Sequence, residues 1–361
     1  MTIFVFIIDL KIYTIMAEIA ENQAVFSIDQ IEEPKDINDI VFNLMVNPNL
    51  APVNYFNDFS EEGFDLESVA NGETDDAGIF TADNGQMMAM TTHAFHHHLD
   101  TDPKTAIEIL ISRAARRMAC YGAKPEAVSA FLYHINIAHP NGQFIASGAK
   151  KGLENACKKF GVKVSDRKIR FDYFSGHGTV TPTIIVSLMG SVEDKNKVIT
   201  HKLKNKGNNI FVIGKSFDDI SSSEYLEFYH EVYDSPLPQF DIDMEVRLQE
   251  AMKTLVDRQL ISSASPVGRG GLFFSLLRAG MPAGLGFDIT TDAEIRRDAF
   301  LFGESMGRLI VGVSQENEDD FVDYLQSTKL PFFTLGHVTK GEIRVDDESL
   351  GFIDKMIPNA E

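Results

Sequence analysis

Three arginines stand close together in the segment SRAARRMACYGAKP, residues 112–125. Arg113 and Arg117 are four residues apart, so on a helix they share one face, where like charges repel by roughly 0.2–0.5 kcal/mol. Arg116 lies between them in the sequence. Guanidinium groups carry a permanent positive charge and bind phosphate or carboxylate through paired hydrogen bonds. The cluster is therefore either a solvated helix face or an anion-binding site.

The arginines belong to a helix that the pattern predicts over residues 103–121, with Pro103 suited to its first turn. A hairpin with strands at 78–81 and 86–92 precedes this helix. Apolar periodicity predicts the remaining elements. They are helices from Asp36 and at 148–160, 245–260, 270–280 and 316–327, and strands at 127–137, 182–189, 209–214, 308–314, 331–338 and 341–345.

These elements predict a mixed α/β (α+β) fold in two lobes, divided near the basic, Gly- and Asn-rich segment KLKNKGNN, residues 202–209. We predict a mobile N-terminal extension over residues 1–35, an N-terminal domain over 36–200 and a C-terminal domain over 208–361. Two domains are typical of a chain of this length.

The first residues are apolar, but Asp9 and Lys11 interrupt them. The run is too short for a membrane helix, which needs ~20 apolar residues. It also lacks the basic region and cleavage site of a signal peptide. MAEIAENQ, from Met16, is a more ordinary start, so we expect residues 1–15 to be an upstream extension. An edge strand is the alternative.

Composition narrows the class of function. The formal net charge is -20, with 53 acidic against 33 basic residues, which argues against a nucleic-acid groove, since phosphate contacts need clustered Lys and Arg. Cys120 and Cys157 are the two cysteines, too few for a disulfide framework or a structural zinc site. Cys120 is expected in the core. These features predict a cytoplasmic protein without a nucleic-acid or membrane partner.

An ordered set of motifs resembles the C-terminal half of the PurL family, phosphoribosylformylglycinamidine synthase, within the wider AIR synthase-related (PurM-like) superfamily. The resemblance runs from about residue 36 to the end. The segments that carry it are NLMVNPNLAPVNYF (43–56), DDAGIF (75–80), RAARRMACYGAKPEAV (113–128), PTIIVSLMGSVED (182–194), SSSEYL (221–226), ASPVGRGGLFFSLL (264–277) and LFGESMGRLIVGVSQENEDDF (301–321).

This resemblance implies a PurM-like two-domain module. The sheet of the N-terminal domain is expected to pair with another copy in a shared barrel, and the C-terminal α/β domain to hold a larger mixed sheet. A nucleotide is expected where the domains and the paired module meet. The complete enzyme uses ATP to activate the amide oxygen of formylglycinamide ribonucleotide, and ammonia from a glutaminase then displaces phosphate.

The resemblance also implies metal ligands in a GDAAV-like, an EAARN-like and an SDGGL-like run. Here those positions are Asp76, Arg113, Arg117 and Arg269, and a further Asp after the paired threonines is His93. Mg²⁺ requires oxygen ligands, which guanidinium cannot supply. We therefore do not expect the usual Mg²⁺ cluster, and Asp76 is its one retained candidate ligand.

Two outcomes follow for this site. Either the arginines bind the phosphates of ATP or ADP directly, helped by backbone N–H groups of Gly270 and Gly271 at a helix N-terminus. Or the site is empty, and the arginines are salt-bridged to Asp75, Asp76 and Glu304. Glu304, in the family's FGES run, is itself a candidate nucleotide-site residue, with orientation of the Arg308 strand as the structural alternative.

Two other segments have less specific patterns. The run AFHHHLD brings His96 and His98 to one side of a strand, but its spacing matches no recognised metal motif, so a loop is the expected role. FSGHGTVTPT, residues 174–183, is either a flexible connection or a lid over the cleft between the domains.

No catalytic residue is assigned from the sequence, and enzymatic activity stays open. The chain is interpreted as a divergent or partial subunit of the purine-pathway synthase, an ATP-dependent carbon–nitrogen ligase if active. A homodimeric member with its own anion ligand and a noncatalytic, regulatory paralogue are the alternatives. Its expected partners are a second copy or a subunit resembling the PurL N-terminal half, with a glutaminase possible. The strand at 86–92, with its MMAM run, is the predicted association surface.

Overall fold

A computed structural model describes residues 26–47, 49–50, 78–82, 84–171 and 180–356. The chain separates into two compact units, residues 1–32 and 33–361. The described part of the first unit contains one turn of 3-10 helix, Ile28–Gln30, whose N-terminus is capped by Ser27. The predicted extension over residues 1–15 lies outside the described residues. Everything below concerns the second unit.

A five-stranded sheet forms the N-terminal part of this unit, in the order β1-β2-β5-β3-β4. Strand β4 runs parallel to β3, and the other neighbours are antiparallel. The strands are β1 (Gly78–Thr81), β2 (Met87–Phe95), β3 (Lys124–Tyr133), β4 (Lys163–Ile169) and β5 (Thr183–Ser191).

Two helices belong to this part, α2 (Pro103–Cys120) and α3 (Pro140–Phe160), while α1 (Ile37–Met45), which precedes the sheet in the chain, contacts Tyr225–Tyr229 of the C-terminal part. Asp36 caps α1 through the backbone N–H of Asn38, as expected for an N-cap carboxylate. Helices α2 and α3 cover one face of the sheet, where small and aliphatic side chains form a single core. Burial alternates along strand β2 accordingly, with Ala89 buried and Met90 exposed.

A seven-stranded mixed sheet forms the C-terminal part, in the order β12-β11-β8-β10-β6-β9-β7. Strands β6 and β9 are buried on both faces, as helices on both sides require. The strands are β6 (Asn209–Ile213), β7 (Ser263–Pro266), β8 (Gly286–Ile289), β9 (Leu309–Val313), β10 (Phe332–Thr339), β11 (Glu342–Val345) and β12 (Glu348–Phe352). The helices are α4 (Ile242–Asp257), α5 (Gly271–Gly280), α6 (Arg297–Phe302) and α7 (Glu318–Thr328).

The predicted fold class, a mixed α/β fold with a larger C-terminal sheet, is confirmed. Several elements differ from the prediction. Helix α3 begins at Pro140 rather than at 148, and β4, β7, β8, β12 and α6 were not predicted. Every residue of β4 is exposed, so its sequence KVSDRKI lacks the alternation that marks a half-buried strand. None of the helices that the structure describes is long and apolar enough to cross a membrane.

Candidate functional site

A cavity of about 370 Å³ lies where α2 and the end of β2 meet the loop between β7 and α5. Five arginines line it, together with His93, Leu50 and the backbone around Gly268. Three of them come from α2, one from the β7–α5 loop and one from α5 itself. They are Arg113, Arg116, Arg117, Arg269 and Arg278. Among the described residues that line this cavity, none carries a carboxylate.

The presence of Arg116 in this cluster is explained by an ion pair within the fold. It is 3% exposed, and its Nε and Nη2 donate to Oε2 and Oε1 of Glu245, each at 3.0 Å. Its Nη1 also donates to the carbonyl of Val267 at 3.3 Å. Glu245 belongs to α4, so this buried ion pair joins α2 to the C-terminal part of the fold and holds the loop that leads to Arg269.

Arg113 lies one turn earlier on α2, half-buried over an aromatic ring. Its guanidinium carbon is 5.6 Å from the centre of the Phe95 ring, within reach of a cation–π interaction. Burial lowers the pKa of Arg113, Glu304 raises it, and Arg116 and Arg269 lower it. An anion near Arg113 would offset both the burial and the repulsion from these arginines.

Arg269 and Arg278 complete the opposite wall. Nε of Arg269 lies 3.8 Å from Oε1 of Glu224, whose other oxygen accepts from the side chains of Asn47 and Asn49 at 2.8 and 3.2 Å. Nη2 of Arg278 donates to the carbonyl of Arg269 at 2.8 Å. Arg278 was not predicted as a site residue. The sequence feature that could have indicated Arg278 is its position two helical turns after the paired glycines, on the helix that begins at the site.

Glu304 occupies the N-terminus of α5. Its Oε1 accepts from the backbone N–H groups of Gly270 and Glu224, at 2.9 and 3.0 Å. The N–H of Gly271 donates to the carbonyl of Gly268 at 3.0 Å. The two glycine donors that we expected to serve a ligand are thus engaged within the chain. These two N–H groups are therefore not donors for an anion in the cavity.

The glycines are nonetheless required there. Gly270 and Gly271 both have left-handed φ values, 75° and 68°, and a Cβ at Gly271 would lie 2.6 Å from the carbonyl oxygen of Leu301. Burial raises the pKa of Glu304, while Arg113 and the two backbone hydrogen bonds lower it. Fully buried Arg308 donates to the carbonyls of Gly303 and Ser305 on either side of Glu304, and so fixes this carboxylate.

The remaining predicted residues divide into two groups. His93 and Arg117 line the cavity, and Nε2 of His93 lies 2.9 Å from the Thr91 hydroxyl. Asp75 and Asp76 lie outside the described residues, and so does most of the segment 174–183. The predicted ion pairs with those aspartates therefore stay predictions.

The described cavity lining does not suit Mg²⁺, because guanidinium groups donate hydrogen bonds and cannot ligate a cation. In the described part of the chain, no group of three or more His, Cys, Asp or Glu side chains is placed to hold a metal ion.

The histidine run lies in the turn after β2, at the edge of the same region. Nδ1 of His97 is 3.4 Å from Oε1 of Glu227, and Nε2 of His98 is 2.8 Å from the hydroxyl of Ser222. Burial and the neighbouring histidines and arginines lower the pKa of His97 to about 4. Burial, Glu224 and Glu304 raise the pKa of Glu227 to about 7. Sequence patterns gave no signal for Glu227.

Family models match both parts of the chain. The N-terminal domain of AIR synthase related protein matches residues 74–192, and the C-terminal domain of the same family matches residues 205–348. Together these matches cover more than half of the 361 residues. The chain belongs to the AIR synthase-related family.

Curated relatives within this family carry the name PurL. The phosphoribosylformylglycinamidine synthase subunit PurL of Alkaliphilus metalliredigens is 26% identical over 351 residues, which is 95% of this chain and 47% of that protein. The subunit from Synechocystis is 28% identical over 258 residues, 70% of this chain and 34% of that protein. The chain thus spans about half the length of the curated relatives it matches, or less.

Several solved structures share the fold of this chain. Thermotoga maritima PurL complexed with ATP superposes with a TM-score of 0.68 at 16% identity, over 90% of this chain and 52% of that one. The same protein complexed with FGAR gives 0.67 at 16% identity, over 85% and 56%. In a HypE–HypF complex the matching chain gives 0.60 at 18% identity, over 82% and 97%.

Proposed function

We propose that this chain is a PurL-type component of phosphoribosylformylglycinamidine synthase, and that its arginine-lined cavity binds the phosphates of ATP or ADP without a divalent cation. The observation that carries the proposal is the convergence of five arginines on one cavity in a chain of formal net charge -20. Relatives named PurL, and a PurL structure with ATP, favour a nucleotide as the molecule that carries those phosphates.

The charges around the cavity support an anion of more than one charge. Arg116 is matched by buried Glu245, and Arg269 faces Glu224 at 3.8 Å. Glu304 attracts Arg113, but its carboxylate already accepts two backbone N–H groups. The guanidinium groups of Arg113 and Arg269 repel each other across the cavity, and a di- or triphosphate between them would offset this repulsion through paired hydrogen bonds.

In this proposal each wall of the cavity has a different role. Arg113 and Arg117, four residues apart on α2, contact the phosphates from one side, and Arg269 contacts them from the loop. Arg116 serves as a positioning residue, because its ion pair with Glu245 fixes both α2 and the loop. The site binds and orients the polyphosphate and takes the place of a metal in neutralising its charge.

Calorimetric titration of ATP and ADP into purified Arg113→Gln and Arg269→Gln variants tests the assignment. Each variant loses one charged hydrogen-bond donor, worth about 1.5–3 kcal/mol, so the Kd should rise roughly 10- to 100-fold. Arg247→Gln, an exposed arginine on α4, is the matched control and should bind as wild type. Equal affinity in all three variants would contradict the proposed site.

We further propose that a partner covers the second face of the five-stranded sheet. Phe80, Met90 and Met189 project from the face opposite α2 and α3, and they are 42%, 41% and 37% exposed. Met90 and Met189 are directly paired across β2 and β5. A second copy, or a subunit resembling the other half of PurL, would bury these side chains in the expected barrel. The structure of PurLQS from Thermotoga maritima, which matches 78% of this chain with a TM-score of 0.61, supports a multi-subunit setting.

A further inference from the structure

A second cluster of titratable groups borders the arginine cavity and takes no part in the anion site as proposed. In it, Nδ1 of His97 lies 3.4 Å from Oε1 of Glu227, and the two side chains are 31% and 19% exposed. Glu227 belongs to a π-helical turn, Tyr225–Tyr229. Such turns are rare and occur frequently at functional sites.

This pair and the cavity share two arginines as neighbours. Arg269 lines the cavity and contacts Glu224, the residue that leads into the π-helical turn. Arg113 lies over the ring of Phe95, whose centre is 5.5 Å from that of His97. Arg269 acts electrostatically on both members of the pair and Arg113 acts on His97, so a charge bound by these arginines would change the protonation of the pair.

The charged surroundings fix the protonation of the pair in the absence of a ligand. His96, His98, Arg113 and Arg269 act on His97, and burial with these neighbours lowers its pKa to about 4. Burial, Glu224 and Glu304 raise the pKa of Glu227 to about 7, against the lowering effect of Arg269. At pH 7 His97 is thus neutral and Glu227 is about half protonated. By pH 8 the pair has lost most of its proton.

We propose that binding of a polyphosphate in the arginine cavity is coupled to uptake of one proton from solvent by the His97–Glu227 pair. The positive charge of Arg269 disfavours protonation of both residues. The positive charge of Arg113 also disfavours protonation of His97. A phosphate on these arginines cancels that charge, so protonation becomes more favourable. By linkage, the anion binds more tightly where the proton is available. This inference rests on the proposed function.

Calorimetry in EDTA at pH 8 tests the coupling, with ATP as the probe and Tris and HEPES as buffers of different ionisation enthalpy. At this pH a phosphate monoester, with a second pKa of about 6, is already ionised. We expect wild type to take up between about half and one proton per ATP. From pH 7 to 8 its Kd should rise several-fold, up to about tenfold for one proton. Glu227→Gln should take up none and bind with a nearly constant Kd.

Glu231→Gln provides the matched control, because it makes the same change at an exposed carboxylate four residues away. It should keep the wild-type proton uptake. Binding without proton uptake in wild type, or equal uptake in wild type and Glu227→Gln, would overturn the coupling and leave the proposed anion site standing. Absence of ATP binding in EDTA at both pH values would overturn the proposed site and the coupling together.

Discussion

Glu304 connects the anion cavity to the rest of the C-terminal fold at the level of single residues. Its carboxylate accepts two backbone N–H groups, from Gly270 and Glu224, and it is 5% exposed. It also provides negative charge beneath Arg113. An internal carboxylate thus satisfies the helix terminus, so in the proposed site the anion is bound by guanidinium groups and not by these two backbone N–H groups.

Replacing Glu304 should therefore separate its two roles. Glu304→Ala leaves two N–H donors without an acceptor, one buried and one partly buried, and each costs about 1–3 kcal/mol, so we expect a loss of about 2–6 kcal/mol in the free energy of unfolding. Glu304→Gln keeps an acceptor oxygen and should cost less than half as much. Urea denaturation monitored by circular dichroism measures both. Equal stabilities of the two variants would show that the hydrogen bonds to Glu304 contribute little.

His97 and Glu227 make opposite contributions to the pH dependence of stability. The folded-state pKa of Glu227 is raised from 4.5 to about 7, so its stabilising contribution is present below pH 4.5 and is lost as pH rises toward 7. The pKa of His97 is lowered from 6.5 to about 4, so its contribution is present above pH 6.5 and is lost as pH falls toward 4. Between pH 4.5 and 6.5 the contributions of Glu227 and His97 change with pH in opposite directions, so the two changes cancel.

Single substitutions should reveal how each residue alone makes the free energy of unfolding depend on pH. In Glu227→Gln the free energy of unfolding should fall by about 2 kcal/mol between pH 6.5 and 4, a value reduced for the partial exposure of His97. In His97→Asn it should fall instead as pH rises from 4.5 to 7. Urea titrations at several pH values measure this. If the free energy of unfolding of both variants changed with pH in parallel with that of the wild type, the assignment would be wrong.

At the scale of elements, α2 is the common support of the site. It covers the five-stranded sheet on one side, presents Arg113 and Arg117 to the cavity, and is joined to α4 by the buried pair Arg116–Glu245. The spacing of the arginines and the helix that carries them could be predicted from the sequence, because both depend on local periodicity.

The partners of these side chains could not be predicted in the same way. Glu245 is 129 positions from Arg116, and no local pattern reports contacts at that separation. Glu227 was missed for the same reason, since only the packing of distant elements brings it to the edge of the cavity. Strand β7, SASP, lacks an apolar run, so its place in the sheet depends on its pairing with β9.

Breaking the α2–α4 ion pair should be costly. Arg116→Met leaves Glu245 as a buried charge without its cation, and Glu245→Leu leaves Arg116 likewise, so each should lose about 3–5 kcal/mol. The double variant Arg116→Met/Glu245→Leu should recover most of this loss, because two apolar side chains of similar volume replace the pair. Urea denaturation of the wild type and these three variants forms a double-mutant cycle. Additive losses would contradict a direct interaction.

At the scale of the whole molecule, the chain contains one AIR synthase-related module. Its PurL relatives are about twice as long. Its five-stranded sheet presents exposed Phe80, Met90 and Met189 on the face opposite the helices. Partly exposed apolar side chains of this kind, on a sheet with open edges, are typical of an interaction surface. The MMAM run predicts this association surface from the sequence, but it does not predict the register of the strand with β5.

Association through this face has a direct test. Sedimentation velocity at micromolar concentration should show a dimer for wild type, and a substantial shift toward monomer for Met90→Lys, because the charge would be buried at the interface. Phe42→Lys, an equivalent change at an exposed residue of α1, should remain dimeric. A wild-type protein that sediments as a clean monomer would contradict self-association and favour a different subunit as the partner.

The central claim is that guanidinium groups have replaced a metal at the nucleotide site. The most direct measurement is calorimetric titration of ATP into the wild-type protein, first with EDTA and then with Mg²⁺ in excess. We predict that ATP binds in EDTA, and that Mg²⁺ leaves the affinity unchanged or weakens it by competing for the phosphates. Binding that requires Mg²⁺ would contradict the claim, and no binding in either condition would favour a noncatalytic module.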